Sequence, residues 1–190
     1  MAALLSAAFL LAVPLCCTAA EGTTDETQPA VWTPKELTFV YQGFTTKYSC
    51  DGLRDKVMRA LLQLGARKKD LKVEETACTR GFGRPDIFPG VRIKMNVLAP
   101  ATDTSADSPD VVQARWKPVD LKLKSNDFPT DSTECELVEQ IKNKILPLFT
   151  NRNVDLRGDC VPFQASPAGS SLKLEVLAPA ATDAAGATKK

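Results

Sequence analysis

The sequence predicts an α+β fold made of a tandem duplication of a β-α-β-β unit, giving an antiparallel-rich sheet with helices packed on one face and one disulfide per unit. Three observations carry the prediction. A set of landmarks occurs twice in the same order, apolar spacing switches between two-residue and helical periods within each copy, and four cysteines fall two to a copy.

The landmarks begin with Trp32, Pro34, Glu36 and Leu37, which recur in register as Trp116, Pro118, Asp120 and Leu121. Cys50, an amphipathic stretch and Cys78 are mirrored by Cys135, a second such stretch and Cys160. Each copy closes alike, with Val97-Leu98-Ala99-Pro100-Ala101 returning as Val176-Leu177-Ala178-Pro179-Ala180. These markers place the first repeat at residues 31–100 and the second at 115–178. The expected linkers are residues 21–30 and 101–114, and residues 179–190 read as a disordered tail; all three stretches are rich in Ala, Thr, Asp, Ser or Pro.

Leu37, Phe39 and Tyr41 alternate as one face of an opening strand, as do Val119, Leu121 and Leu123. Leu53, Val57, Ala60, Leu61 and Leu64 then share a helical face, and Leu137, Val138, Ile141, Ile145 and Leu148 repeat it. Gly65 is a natural stop for the first helix, because glycine adopts the left-handed conformation that closes a helix at no steric cost. Thr133 with Glu136 predicts a capping box on the second helix, and Pro147 should kink or end it early. Two strands follow each helix. The last is the clearest: Val91, Ile93, Met95 and Val97 alternate with Arg92, Lys94 and Asn96, and Leu172, Leu174 and Val176 alternate with Lys173 and Glu175. Such alternation belongs to a sheet with a core on one face and water on the other. Val73 and Cys78 differ in parity whereas Leu156 and Cys160 agree, which predicts a bulge between Val73 and Cys78.

Four cysteines permit three pairings, and equivalent positions in two copies should bond equivalently, giving Cys50–Cys78 and Cys135–Cys160. A repeat of about 65 to 70 residues is only marginally stabilised by burial, and each staple should add roughly 3 to 4 kcal/mol on the chain-entropy model. The spacing is too long for a C-x-x-C redox pair and lacks the short knuckle of a zinc site.

Disulfides require an oxidising compartment, and residues 1–20 fit a signal peptide: an uncharged stretch with an apolar run over residues 2–13, then Pro14 and small residues leading to cleavage near Ala20. The run is too short to span a bilayer, and no later segment qualifies as a transmembrane segment. Cys16 and Cys17 raise lipidation as an alternative, although neither follows the small residue that such processing needs. Without an N-x-[ST] sequon, a periplasmic location is preferred over a eukaryotic secretory one.

Composition narrows function. Of 190 residues, 24 are Lys or Arg and 23 are Asp or Glu, so no single-sign field steers the chain to nucleic acid or to an anionic surface. Lys72, Arg92, Lys94, Lys122, Lys124 and Lys173 give the open sheet face a basic tendency, but no aromatic is expected among them to stack bases, which argues against a nucleic-acid partner. Histidine is absent, removing Ser-His-Asp and Cys-His catalysis and histidine-ligated zinc. Ser170 and Lys173 match an S-x-x-K spacing, yet they enter a strand, where they cannot meet as they would on a helical turn. No catalytic residue, metal site or cofactor is expected.

The copies differ most between their last two strands. The first carries Arg80, Phe82, Arg84 and Phe88 among glycines, whereas the second has a shorter, uncharged connection through Phe163. Two arginines and two phenylalanines on one loop could grip a carboxylate, a phosphate or a partner chain; the plainer reading is a long hairpin with solvated arginines. The sequence therefore favours an exported non-catalytic binding or envelope-assembly protein, its partner an unknown protein or envelope polymer. The alternatives are a secreted hydrolase using carboxylate and arginine chemistry on such a polymer, and an inhibitor of a partner enzyme.

Overall fold

A computed structural model describes residues 27–80, 83–102, 110–123, 134–158, 160–161, 163–164 and 170–180. Strand β1 (Gln28–Val40) leads to helix α1 (Cys50–Gln63), then to β2 (Lys72–Thr76) and β3 (Gly90–Pro100). Strand β4 (Val111–Leu121), helix α2 (Cys135–Gln140), β5 (Asn151–Arg157) and β6 (Ser171–Pro179) repeat that order. The strands form one six-stranded sheet in the order β2-β3-β1-β4-β6-β5, with every neighbouring pair antiparallel.

The two halves meet at a short seam. β1 pairs with β3 over eleven positions but with β4 over only four, from Gln28 opposite Ala114 to Val31 opposite Val111. All of these seam residues but Val31 lie in stretches that read as linkers, where Gln, Pro and Ala dilute the strand signal of Val111 and Val112. Pro34 and Pro118 follow the seam in each strand, where β1 no longer has β4 beside it and β4 no longer has β1. A proline cannot donate to a ladder, so it suits a strand with one open side and stops the seam from lengthening.

One face of the sheet carries the helices, and the main core draws on both halves. Phe39, Leu53, Val57, Leu61, Leu64 and Ile93 from the first pack in one cluster with Leu121, Leu137, Ile141, Ile145 and Leu172 from the second. On β3, Val91, Ile93, Met95 and Val97 are buried while Arg92 and Lys94 are exposed, as the alternation predicts. The opposite face is less open than expected. Ala30, Leu98, Ala114 and Leu177 form a second buried cluster there, with Trp32 and Trp116 packed against it. Trp32 pairs with Leu98 and Trp116 with Leu177, the parity opposite to the main core. Arg67 lies 5.1 Å over the Trp32 ring and Arg152 lies 4.3 Å over the Trp116 ring. The expectation of a face without aromatics is thus corrected, although each ring is taken up by an arginine.

Helix α1 is bounded as its residues dictate. Ser49 caps it, its Oγ accepting from the Gly52 amide at 3.2 Å. At the other end Gly65 has φ +94°, Ala66 N donates to Leu61 O at 2.9 Å and Gly65 N to Leu62 O at 3.2 Å, a Schellman closure. Helix α2 keeps α geometry only to Gln140, widens to a π turn over Ile141–Ile145 and ends in a 3-10 turn at Leu146–Leu148 that contains Pro147. Widening ahead of the proline keeps its ring off the carbonyl of the preceding turn.

The bulge occurs in the other half of the chain. β2 pairs with β3 in unbroken register and ends at Thr76; Ala77, at φ +55°, then turns the chain away, so Cys78 is outside the strand and its parity says nothing. In β5 the register shifts by one between Arg152 and Asp155, with Asn153 at φ +54°. Both disulfides form as expected, Cys50–Cys78 and Cys135–Cys160, with Cα separations of 6.1 and 5.5 Å. Among the described residues no helix is long and apolar enough to cross a membrane.

Candidate functional site

The segment joining β1 to α1, residues 41–49, lies between two other loops and ties them together. On one side Tyr41 N donates to Pro89 O at 3.0 Å, Asp86 N to Tyr48 O at 2.9 Å and Gly83 N to Asp51 Oδ1 at 3.2 Å, which fixes the loop between β2 and β3 against it. On the other side it is held by the start of α2. The Glu136 carboxylate accepts from Phe44 N at 3.0 Å, Thr45 N at 3.0 Å, Thr45 Oγ1 at 3.2 Å and the Tyr41 hydroxyl at 3.2 Å. Thr133 lies outside the described residues, and Glu136, expected to cap its own helix, instead latches the other half of the molecule.

Glu134, two residues earlier at the helix start, does the same. It takes the Tyr48 hydroxyl and, at 2.6 Å, the ammonium of Lys56 on α1. Tyr41 and Tyr48 meet edge to face with centroids 4.8 Å apart. Gly43 is required here, since a β-carbon at that position would overlap the Tyr41 ring. Burial, followed by the negative charges of Glu136 and Glu134, pushes both tyrosine hydroxyls up and keeps them protonated donors. For Glu136, burial acts to raise the carboxyl pKa, but the Thr45 and Phe44 amides and the Thr45 and Tyr41 hydroxyls together hold it below the ordinary glutamate value.

The loop between β2 and β3 is organised by Asp86, a buried carboxylate that sequence reasoning passed over. It accepts from Thr79 N at 2.7 Å, Thr79 Oγ1 at 2.9 Å, Arg80 N at 3.0 Å and Ile87 N at 2.8 Å. The Thr79 amide is the chief cause, against burial and joined by the other donors, that its pKa falls to about 2.

Of the residues singled out from the sequence, Arg80 and Arg84 are exposed and form no ion pair among the described residues; the Arg80 guanidinium only grazes Pro85 O at 3.5 Å. Phe88 is 53% exposed, as is its neighbour Ile87. Phe82 lies outside the described residues. Sequence reasoning missed Phe44, 58% exposed, and its partner Phe163, 76% exposed, whose rings lie 5.3 Å apart next to the second disulfide. The signal available was an unpaired aromatic in a short polar stretch between strand and helix. Residues 41–49, the described part of the β2–β3 loop and residues 160–164 as far as described thus share one end of the molecule, carrying exposed apolar side chains, two arginines without an ion pair among the described residues, and both disulfides.

A shallow depression of about 320 Å³ lies elsewhere, near Glu36, Asp70, Lys94 and Asn96. Its charges answer one another: Asn96 Nδ2 donates to Asp70 at 2.9 Å, and Lys94 sits 3.7 Å from Glu36. Among the described residues no three His, Cys, Asp or Glu side chains are grouped to hold a metal ion. Comparison with known proteins brings no identity to this arrangement: no protein-family model, curated protein or solved structure matches the chain.

Proposed function

We propose that this is an exported, non-catalytic binding protein that engages its partner through the loop-bearing end, and that its halves derive from a tandem duplication. The carrying observation is the Asp86-centred loop. A buried carboxylate and the Cys50–Cys78 bond fix its backbone, while Arg80, Arg84, Ile87 and Phe88 stand out from it. A rigid loop presenting arginine and aromatic side chains loses little entropy on binding and offers the residue types that dominate interface energetics. The buried carboxylates Asp86, Glu134 and Glu136 are all engaged by donors that hold loops in place, which favours binding over carboxylate catalysis.

Duplication is supported by the paired landmarks taking equivalent roles: tryptophan under arginine, proline after the seam, cysteine at a helix start. Export is supported by the apolar residues 1–20, which lie outside the described residues, and by two disulfides, which fit an oxidising extracellular or periplasmic compartment.

The test is a pull-down from an envelope extract with the parent protein, an Arg80→Ala, Arg84→Ala double variant, and Lys173→Ala on the opposite sheet face as a control. A partner retained by the parent and the control but lost by the equally folded double variant is the expected result. Equal retention by all three would place the site away from this loop.

A further inference from the structure

We propose that the loop-bearing end docks on an anionic lipid bilayer, its apolar tips entering the headgroup layer while Arg80 and Arg84 meet lipid phosphates. This rests on the binding reading above and names the ligand class. The apolar tips come from three adjoining loops: Phe44 from the first, Ile87 and Phe88 from the second, Val161 and Phe163 from the third. The loops are held side by side by the Tyr41–Pro89 and Asp86–Tyr48 backbone hydrogen bonds and by the Phe44–Phe163 contact. All five side chains are 45–76% exposed and so project from the surface rather than line a cleft. A soft headgroup layer accepts several separated tips at once, and apolar burial with cation attraction is what holds peripheral proteins there.

Charge points the same way. The net charge of the chain is only +1, and among the described loop residues at this end the carboxylates are buried or hydrogen-bonded. Asp86, Glu134 and Glu136 are buried within hydrogen-bond networks, and Asp51 accepts the Gly83 amide. Among the described residues neither arginine has an acidic partner. A guanidinium is suited to phosphate oxygens, which it can bind through two donors.

The backbone separates a bilayer from a generic protein partner. Peptide groups entering an apolar layer must be satisfied internally, since no water follows them. At this end the amides of Thr79, Arg80 and Ile87 are satisfied by Asp86, and those of Phe44 and Thr45 by Glu136. The tips can therefore leave water with those donors already paired.

The experiment is co-sedimentation of the disulfide-bonded protein with vesicles of phosphatidylcholine alone and of phosphatidylcholine containing phosphatidylglycerol, at low and high salt. Binding to the phosphatidylglycerol vesicles, weakened by salt, is expected. Phe163→Ser and Arg80→Ala/Arg84→Ala should each lower partitioning by roughly tenfold, and Lys173→Ala should leave it unchanged. Phe163 is far enough into solvent that its replacement does not endanger folding, and circular dichroism verifies each variant. Absence of binding, equal binding to both vesicle types, or parent-like binding by the Phe163 and arginine variants overturns the proposal. A protein partner lost by the arginine variant, with no vesicle binding, leaves the binding reading standing and replaces the bilayer with a protein surface.

Discussion

Replacing Glu136 with alanine removes the group that joins the first loop to the second half of the molecule. Four donors lose their acceptor: the amides of Phe44 and Thr45, the Thr45 hydroxyl and the Tyr41 hydroxyl, of which, among the described residues, only Tyr41 has a second acceptor outside Glu136, Thr46 O at 3.1 Å. Hydrogen bonds to a charged group contribute about 1.5–3 kcal/mol when fully buried. The loop amides are only partly buried, and water replaces some of what is lost, so about 1 kcal/mol for each of the three uncompensated donors is the appropriate scale. The expected loss is about 3 kcal/mol, seen as a lower urea midpoint with unchanged slope and as a fall in Tm of about 6–12 °C. Glu136→Gln keeps one acceptor oxygen but turns the NH2 of a carboxamide, a donor, toward the backbone amides, and should lose about 1–2 kcal/mol. Hydrogen exchange at Phe44 and Thr45 should accelerate in both variants. An alanine variant within about 0.5 kcal/mol of the parent, with exchange at those amides unchanged, would refute the latch.

Two further expectations concern the staples and the Asp86 loop. The Cys50–Cys78 and Cys135–Cys160 bonds close loops of similar separation, 28 and 25 residues, so the Cys50→Ser/Cys78→Ser and Cys135→Ser/Cys160→Ser variants should each lose about 3.5 kcal/mol in urea unfolding; a variant matching the parent would mean that its disulfide constrains nothing the fold does not. Asp86 has a folded pKa of about 2, below the roughly 3.9 of an unfolded aspartate. Its contribution is therefore fully present above about pH 4 and lost as pH falls toward 2. The NMR shifts of the Thr79, Arg80 and Ile87 amides should titrate together with a midpoint near that low value; a midpoint at the ordinary aspartate value would show that the carboxylate is not holding the loop.

Local signals were the legible ones. Alternation located β3 and β6, helical spacing located α1, Gly65 marked its end, and the two-copy pattern selected the cysteine pairing. That both halves share a single sheet rests on four residue pairs between 28–31 and 111–114, a seam too short for its Gln, Pro and Ala positions to announce it. Misjudged features depend on long-range placement. Glu136 has the spacing of a helix cap, but its partners are more than ninety residues away. The tryptophans were markers of the repeat, and their outward parity shows only once their strands are paired. Cys78 was counted as part of a strand that Ala77 had already turned out of the sheet. At the candidate site, Arg80, Arg84 and Phe88 stood out because the two halves of the sequence differ most there. Asp86 and Phe44 were not, since a buried hub and a neighbouring loop tip have no local pattern.

The seam between β1 and β4 has the register of a self-complementary contact. With Trp32 matched to Trp116, Gln28 corresponds to Val112 and Ala30 to Ala114, and the structure pairs Gln28 with Ala114 and Ala30 with Val112. Each pair is the image of the other about Pro29 and Gln113, and even the flanking bonds match, Ala101 N to Pro29 O at 3.0 Å and Ala180 N to Gln113 O at 2.8 Å. Two identical protomers meeting through one strand about a two-fold axis would form the same contact, position i meeting j and j meeting i. On the duplication reading, a freestanding half would thus bring its own dimer interface, and fusing two halves would have made an isologous pair permanent within one chain.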